Sequence, residues 1–235
     1  MWEIVWLDIA HDCGKGLLVG GASLAIQCLA PRVSQLLKRI RTKLAARAAG
    51  RIDATLAVPP VERRLAAIFA TDVAGYSRLT EVDEEDTHGR LKSCWSEVIA
   101  PTICRHRGRI VKNTGDGALV EFRSVVDAVR CAIEIQQTMA RRNASVAHDR
   151  RIEFRVGVNL GDVIVEPNDI HGDGVNVAAR LEGLAAPGGI CVSADAWRCV
   201  RGKVTACVVD LGEQRLKNIA EPAHVYAIPP ATDAA

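Results

Sequence analysis

The order of the strands and helices predicted in the middle of this chain restricts its fold more than any other feature. The apolar run LAAIFATDV comes shortly before the chain breaker Gly75, which predicts a buried strand with Asp72 at its C-terminal tip. A helix follows, and the residues that mark its apolar face are Leu91, Trp95 and Val98. The segments RIVKNT and ALVEF, joined by a Gly-Asp-Gly turn at Asp116, then predict a β-hairpin.

A second helix and a further strand complete the pattern. Ser124 and Asp127 form a Ser-x-x-Asp sequence typical of a helix N-terminus, and the residues of this helix expected to face inward are Val129, Ile133 and Met139. The segment IEFRVGVNL alternates strictly, which predicts a half-buried strand. Its apolar positions are Ile152, Phe154, Val156, Val158 and Leu160. The resulting order, βαββαβ, is that of a ferredoxin-like core.

The remaining elements extend this core. They are a helix around Asn176 to Leu184, the strand GICVS, a short helix from Ser193 and terminal strands that include HVYAI. We therefore predict an α+β fold, a ferredoxin-like βαββαβ core with C-terminal additions, preceded by a helical N-terminal segment. The expected divisions are an N-terminal segment with linker (1–60), a main domain (61–230) and a short tail (231–235).

Two carboxylates are expected at one edge of the predicted sheet. A right-handed crossover makes the second strand parallel to the first, so Asp72 and Asp116 lie at the same strand ends. Each has a structural alternative, because Asp72 could cap the next segment and Asp116 could simply form the turn. Together, beside flexible glycines, they match the hard oxygen ligands that a pair of divalent cations requires.

Charge and cysteine content narrow the function classes. Residues 1–60 hold 8 Lys/Arg and 4 Asp/Glu, which leaves 22 and 24 in the rest and makes the main domain slightly acidic. With 4% aromatic residues it offers neither the basic face nor the stacking rings of a nucleic-acid-binding protein. The eight cysteines form no CxxC pair, and most fall on apolar positions. They predict reduced core thiols in a cytosolic protein.

The first 60 residues differ from the rest. The run GLLVGGASLAIQCLAP is uncharged, but its 16 residues fall short of a usual membrane span of about 20. A basic stretch follows, with seven Lys/Arg and no acid between Arg32 and Arg51 and an apolar helical face. A signalling or dimerising helix, a membrane-surface or anchored segment, and a disordered leader all remain open. We predict a cytoplasmic location, with membrane association through this segment as the alternative.

Three motifs carry a resemblance to a known family. FATDVAGYSRL, GRIVKNTGDGALVEF and NDIHGDGVNVAARLE resemble successive signatures of the class III nucleotidyl cyclase catalytic domain, of the bacterial adenylate cyclase type. The resemblance runs from about Arg63 to Ile228 and includes the closing segment LGEQRLKNIAEPAHVYAI. It does not extend to the first 60 residues.

The resemblance implies a two-metal site. Asp72, Asp116 and the backbone carbonyl of Val73 would bind two Mg²⁺ or Mn²⁺ ions, as the hard-ligand argument also suggests. The backbone of VAGYS, with Ala74, Gly75 and Tyr76 at its centre, would cradle the triphosphate at the start of a helix.

The same resemblance assigns roles to a later helix. Asn176 and Arg180 are four residues apart and so share one helical face. The family match implies that Asn176 orients the ribose and that Arg180 stabilises the transition state. A permanently charged guanidinium suits the phosphoryl oxygens there. Lys217 would correspond to the triphosphate-binding lysine. Outside this context, Arg180 would be an ordinary surface ion-pair residue.

Substrate choice is expected to depend on Lys112 and Asp169, the positions that match the base-reading pair of the family. A lysine donor and an aspartate acceptor complement adenine N1 and its 6-amino group, whereas guanine presents the reverse pattern. The sequence therefore predicts ATP as the substrate. Without the motifs, the two residues would be an exposed strand residue and a turn residue.

The resemblance also implies a homodimer with shared active sites. Asp72 and Asp116 would come from one chain, and Lys112, Asp169, Asn176 and Arg180 from the other. The leading prediction is an adenylate cyclase that makes cyclic AMP and pyrophosphate. A catalytically silent nucleotide-binding module of the same fold is one alternative. A diguanylate cyclase or polymerase-like palm domain is another, although its Gly-Gly-Asp/Glu-Glu-Phe signature is absent from this sequence.

Overall fold

The computed structural model describes residues 38, 40–42 and 61–230. The chain divides into two units, Met1–Pro60 and Val61–Ala235. In the first unit the described residues are helical and exposed, including Ile40 of the predicted apolar face. The apolar run, the linker and the C-terminal tail lie outside the described residues. Within the part that is described, no helix is both long and apolar enough to cross a membrane.

Within residues 61–230, the second unit contains eight strands and six α-helices. The strands are β1 (Glu62–Val73), β2 (Arg109–Asn113), β3 (Ala118–Phe122), β4 (Phe154–Val165), β5 (Ile170–His171), β6 (Ile190–Ser193), β7 (Val209–Gln214) and β8 (Ala223–Ile228). The α-helices are α1 (Tyr76–Val82), α2 (Glu84–Cys94), α3 (Ala100–Arg105), α4 (Val125–Asn143), α5 (Asp173–Leu184) and α6 (Ala194–Val200). A π-helical turn, Trp95–Ile99, joins α2 to α3, and a 3-10 turn, His148–Arg150, precedes β4.

The sheet has the strand order β2-β3-β1-β4-β6-β8-β7, with β5 paired to β4. β3 lies between β1 and β2 and is antiparallel to both, and β4 is antiparallel to β1 on its other side. This is the predicted ferredoxin-like βαββαβ core, and β2 runs parallel to β1 as the crossover argument requires. β6 adds to the core in parallel with β4, followed by antiparallel β8 and β7. The predicted α+β fold is confirmed.

Apolar side chains on the two faces of the sheet belong to separate clusters. On one face, Phe69, Phe122 and Phe154 are fully buried against α1 to α4 and α6. On the other face, Ile68 of β1 packs with Ala178 of α5. The predicted helix faces agree with this arrangement: buried positions include Leu91, Val98, Val129 and Met139, whereas Trp95 and Ile133 are partly buried. The predicted cap is present too, because the Ser124 hydroxyl accepts a 3.3 Å hydrogen bond from the Asp127 amide.

Three glycines allow α5 to lie directly on the backbone of β4. A Cβ atom at Gly157 would be 2.2 Å from the Ala178 carbonyl oxygen, and one at Gly161 would be 2.9 Å from the Cα of Gly174. Between them, the Asn159 amide donates a 2.9 Å hydrogen bond to the Gly174 carbonyl. The prediction of a half-buried strand, made from alternation, is therefore wrong for the centre of β4, which is buried on both faces.

The cysteines are divided between core and surface. Among the described residues, Cys94, Cys131 and Cys191 are buried and unpaired, whereas three others are exposed: Cys104, Cys199 and Cys207. Burial raises the pKa of Cys131 to about 12 and that of Cys191 to about 11. The prediction that most cysteines are core thiols thus holds for half of those described. Cys13 and Cys28 lie outside the described residues.

Candidate active site

Asp72 stands near the C-terminal end of β1, on the same face as Ile68 and Ala70. Alternation along the strand places these residues together, and α5 covers this face. The Asp72 side chain is 21% exposed, so it can be reached by a ligand while remaining shielded.

The Asp116 turn packs against this end of β1. Ala118 pairs with Thr71, and the Thr114 amide donates a 3.0 Å hydrogen bond to the Gly117 carbonyl to close the turn. A Cβ atom at Gly117 would be 1.8 Å from the Thr71 carbonyl oxygen and 2.8 Å from the Asp72 Cα. Only glycine permits this approach, and it brings the loop that carries Asp116 to the backbone of Asp72.

Arg155 of β4 neutralises the Asp72 carboxylate. Its Nε donates a 2.9 Å hydrogen bond to Asp72 Oδ1, and its Nη2 contacts Oδ2. The hydrogen bond to Asp72 raises the pKa of Arg155, and Asp116 and Glu182 contribute in the same direction. The interaction is bidentate, the geometry in which an arginine–carboxylate pair is strongest.

A third carboxylate, Glu182 of α5, lies next to both Arg155 and Asp72. Its Oε1 is 3.6 Å from Arg155 Nη2, and its side chain is 16% exposed. Burial, followed by the interaction with Asp72, raises the pKa of Glu182 to about 8. Asp116 also raises this pKa, so the electrostatic environment of Asp72, Glu182 and Asp116 is shared.

The oxygen donors at this sheet edge suit a magnesium-type ion whose remaining ligands come from the substrate. In the described part of the chain, no group of three or more His, Cys, Asp or Glu side chains is arranged to hold a metal by itself. Mg²⁺ is commonly bound through one or two carboxylates together with substrate phosphates and water. Asp72 and Asp116 supply the carboxylates, and Val73, which has no donor atom in its side chain, could contribute only its backbone carbonyl. The residues present therefore fit the implied metal.

Part of the backbone predicted to cradle the triphosphate already has a partner within the chain. The Ala74 amide is already bonded to the Glu153 carbonyl at 2.8 Å. Gly75 adopts the left-handed conformation, with φ 66°, and caps α1. The Tyr76 side chain is partly buried and packs against the core. The first amides of a helix have no acceptor within it, and those available here start after Ala74.

Asn176 and Arg180 lie side by side on the exposed surface of α5, as their spacing predicts. Arg180 Nε donates a 3.0 Å hydrogen bond to the carbonyl of Lys217. Lys217 is exposed in the turn before Asn218, whose φ is 62°. The structure thus brings three of the predicted residues to one surface: Asn176, Arg180 and Lys217.

This surface faces away from the carboxylates of the same chain. Arg180 and Glu182 are two residues apart, which places their side chains about 160° apart around the helix axis. Glu182 points to Arg155 and Asp72, so Arg180 points to the other side of α5. Asn176 and Arg180 therefore form a group that is separate from Asp72 and Asp116 within one chain.

Lys112 and Asp169, the predicted base-reading residues, contact each other. Lys112 Nζ lies 3.2 Å from Asp169 Oδ2, and the Ile170 amide donates to Asp169 Oδ1 at 2.9 Å. Although burial opposes the change, these two hydrogen bonds lower the pKa of Asp169. His171 is a further neighbour, with Nε2 at 3.9 Å from Asp169 Oδ2. The pair offers one cationic donor and one anionic acceptor at a single point.

Two residues at this site were not predicted from the sequence, Arg155 and Glu182. The alternation of IEFRVGVNL assigned Arg155 to a solvent face, and Glu182 appeared to be a helix surface residue. The available signal was Gly157, two residues after Arg155 in the same strand. Glycine within a strand indicates the close approach of another backbone, which would cover this face.

A groove also lies away from these residues. It has a volume of about 990 Å³, lies at the opposite end of β1 and includes Arg64, Arg109 and Glu121. Glu121 is nearly buried and ion-paired with both arginines. The groove contains none of the predicted site residues.

Comparison with known proteins identifies relatives of the second unit. Residues 62–228 match the family described as adenylate and guanylate cyclase catalytic domain. A Rhizobium meliloti protein named "Putative adenylate cyclase 3" is 50% identical over 175 residues, which are 74% of this chain. A Streptomyces coelicolor adenylate cyclase is 33% identical over 169 residues, or 71% of the chain. The matched regions span only 30% and 42% of those two relatives.

Solved structures show the same fold. A crystal structure of an adenylate/guanylate cyclase/hydrolase from Silicibacter pomeroyi aligns with a TM-score of 0.69 and 47% identity, and covers 72% of this chain and 99% of that one. An adenylyl cyclase from P. aeruginosa aligns with a TM-score of 0.64 at 22% identity, over 74% of this chain and 97% of that one.

Proposed function

The chain belongs to the adenylate and guanylate cyclase catalytic domain family, and from this premise we propose that it converts ATP to 3′,5′-cyclic AMP and pyrophosphate. The observation that carries the proposal is the packing of the Asp116 turn against Asp72, with Gly117 in direct contact with the β1 backbone. It brings the two metal-binding candidates of the family motifs to one sheet edge. The names of the two longer relatives, "Putative adenylate cyclase 3" and "Adenylate cyclase", support the proposal.

Asp72, Asp116 and the carbonyl of Val73 would hold two Mg²⁺ or Mn²⁺ ions. When bound, such ions lower the pKa of the ribose 3′-hydroxyl and neutralise the departing pyrophosphate. Because cyclisation is intramolecular, the residues around the substrate act mainly by positioning it and by stabilising charge.

The side chains of the chain then have distinct tasks. Asn176 orients the ribose, and Arg180 pairs with the phosphoryl oxygens as charge develops. Lys217, next to Arg180, and the amides after Gly75 bind the triphosphate. Arg155, which contacts Asp72 in the metal-free chain, would remain near the same phosphates after release from it.

Adenine is selected by the Lys112–Asp169 pair. Lys112 donates to N1, and Asp169 accepts from the 6-amino group; their 3.2 Å contact supports joint action on one base. Guanine would leave both groups without a suitable partner, and an unpaired buried polar group is costly.

Two copies of the chain share each active site. Arg180 lies on the opposite side of α5 from Glu182, which faces Asp72, and this arrangement supports a site completed by a second chain. In a symmetric dimer, Asp72 and Asp116 of one protomer would face Lys112, Asp169, Asn176 and Arg180 of its partner, which gives two equivalent sites.

A cytoplasmic location is part of the proposal. The described cysteines are all unpaired, as expected in a reducing compartment. Membrane contact through residues 1–60 is the alternative that fractionation of the full chain would detect.

Product analysis tests the activity. The full chain is incubated with ATP or GTP and either Mn²⁺ or Mg²⁺, and products are identified by chromatography and mass spectrometry. We expect cyclic AMP from ATP. Asp72→Asn should strongly reduce its formation, whereas the control Asp173→Asn, which changes an exposed carboxylate of α5, should retain it. Nucleotide binding without turnover would indicate a silent module, and a preference for GTP would overturn the base assignment.

A further inference from the structure

Arg155 is shared unequally between two carboxylates. Two of its nitrogens contact the two oxygens of Asp72, and Nη2 also lies 3.6 Å from Glu182 Oε1. All three side chains are mostly shielded, with exposed fractions of 29% for Arg155, 21% for Asp72 and 16% for Glu182. A change in the position of Arg155 therefore alters the electrostatic environment of both Asp72 and Glu182.

The contact with Asp72 conflicts with metal binding. The guanidinium occupies both carboxylate oxygens that a divalent cation would use, and two cations at one shielded carboxylate repel each other. This repulsion favours a shift of Arg155 away from Asp72 when the ion arrives. A mostly shielded guanidinium without an anionic partner is unfavourable, so its new position needs an acceptor.

Glu182 is the acceptor within reach. Burial and then Asp72 raise its pKa in the metal-free state, and a cation bound to Asp72 would favour its charged form. The backbone of α5 is fixed at this point, because a Cβ atom at Gly157 would lie 2.3 Å from the Glu182 amide nitrogen. Gly157 and Arg155 are two residues apart in β4 and so lie on one face. The close packing of α5 on β4 thus holds Glu182 beside Arg155, whatever the occupancy of Asp72.

We propose that Glu182 is a positioning residue that takes over Arg155 from Asp72 when a divalent cation binds Asp72. The inference rests on the proposed function, since it requires Asp72 to be a metal ligand. Glu182 would act on the ion through Arg155 and not as a ligand. By binding Arg155, Glu182 leaves the Asp72 oxygens free for the ion. It also keeps the guanidinium at the same sheet edge, where the phosphates of ATP are expected.

A double-mutant cycle on metal affinity tests the proposal without any activity assay. Binding of Mn²⁺ alone to the full chain is measured by electron paramagnetic resonance of the free ion. Glu182→Gln should weaken binding about five- to tenfold, within the range for coupled neighbours, because Arg155 then stays on Asp72. Arg155→Gln should strengthen binding, and in that background Glu182→Gln should change affinity less than about twofold.

A matched control and a charge-retaining variant separate positioning from general electrostatics. Asp173→Asn, which removes an exposed carboxylate from the same helix, should leave Mn²⁺ affinity unchanged. Glu182→Asp keeps the charge but shortens the reach, so it should also weaken binding. Melting temperatures in metal-free buffer confirm that each variant is folded.

The outcomes distinguish the inference from its premise. An equal loss of affinity on Glu182→Gln with and without Arg155 would overturn the positioning role and make Glu182 a direct partner of the ion. Unchanged affinity in Glu182→Gln would also overturn it. If Asp72→Asn and Asp116→Asn both bind Mn²⁺ as tightly as the unmodified chain does, the proposed metal site itself is wrong.

Discussion

A Cβ atom at Gly117 would lie 1.8 Å from the carbonyl oxygen of Thr71, so the hairpin that carries Asp116 is in direct backbone contact with the end of β1. Gly117→Ala should therefore push the hairpin away from Asp72. We expect a loss of about 1–3 kcal/mol in the free energy of unfolding, typical of overpacking, together with a large loss of cyclase activity. Urea denaturation and an activity assay measure the two effects.

The control for this substitution is Gly89→Ala in α2. A Cβ atom at Gly89 meets nothing within 4 Å, and alanine favours a helix by up to about 1 kcal/mol over glycine. Stability should be equal to or above that of the unmodified chain. Normal stability and activity in Gly117→Ala would show that the contact between the turn and β1 does not position Asp116.

Asp116→Asn tests whether Asp116 holds metal or only forms the turn. Asparagine keeps the turn geometry but removes the charge that binds a hard cation. We expect near-complete loss of activity with an unchanged melting temperature in metal-free buffer. Activity within a fewfold of the unmodified protein would return Asp116 to a purely structural role.

The Lys112–Asp169 pair provides a test of base selection. Lys112→Glu combined with Asp169→Ser replaces the donor and removes the acceptor, so the ratio of kcat/KM for ATP to that for GTP should fall by at least about 100-fold. Steady-state kinetics with both nucleotides measure the ratio. Undiminished preference for ATP in the double variant would show that these residues do not read the base.

Thiol accessibility follows directly from the core. Alkylation of the native protein, read by mass spectrometry, should modify Cys104, Cys199 and Cys207. Cys94, Cys131 and Cys191 should react only after unfolding, because they are buried and burial raises the pKa of each. Rapid native labelling of Cys131 would contradict the position of α4 on the sheet.

The sequence was sufficient to predict the order of the core elements and the edge that Asp72 and Asp116 share. These depend on alternation, turn residues and crossover handedness, which act locally or through simple topology. The two-sided burial of β4 was not predictable in the same way, because it depends on α5 packing onto Gly157 from a distant part of the chain. Arg155 was assigned to solvent for that reason.

The position of Glu182 illustrates the same limit at the site. Its neighbours in the sequence, in the motif VNVAARLE, indicate an exposed helix surface next to Arg180. Only the contact between Gly157 and α5 shows that Glu182 faces inward, towards Arg155. The roles predicted for Asn176, Arg180 and Lys217 stay predictions, although the structure places the three residues on one surface.

The central claim is that one chain contributes two separate halves to two active sites, and subunit complementation tests it most directly. Asp72→Ala and Arg180→Ala alter residues that lie in different groups, and each variant alone should be inactive. A mixed dimer has one site with both lesions and one with neither. With random pairing, half of the dimers are mixed and half of their sites are intact, so activity should recover to roughly a quarter of that of the unmodified protein.

The two variants are refolded together, and cyclic AMP formation is assayed over a range of protein concentrations, with subunit exchange verified by differently tagged copies. Mixing Asp72→Ala with Asp116→Asn serves as the control and should give no recovery, because both lesions lie in the same half of the site. Recovery to about a quarter only in the first mixture is the predicted result. Absence of recovery despite demonstrated exchange would contradict the account, since each chain would then carry its own complete site.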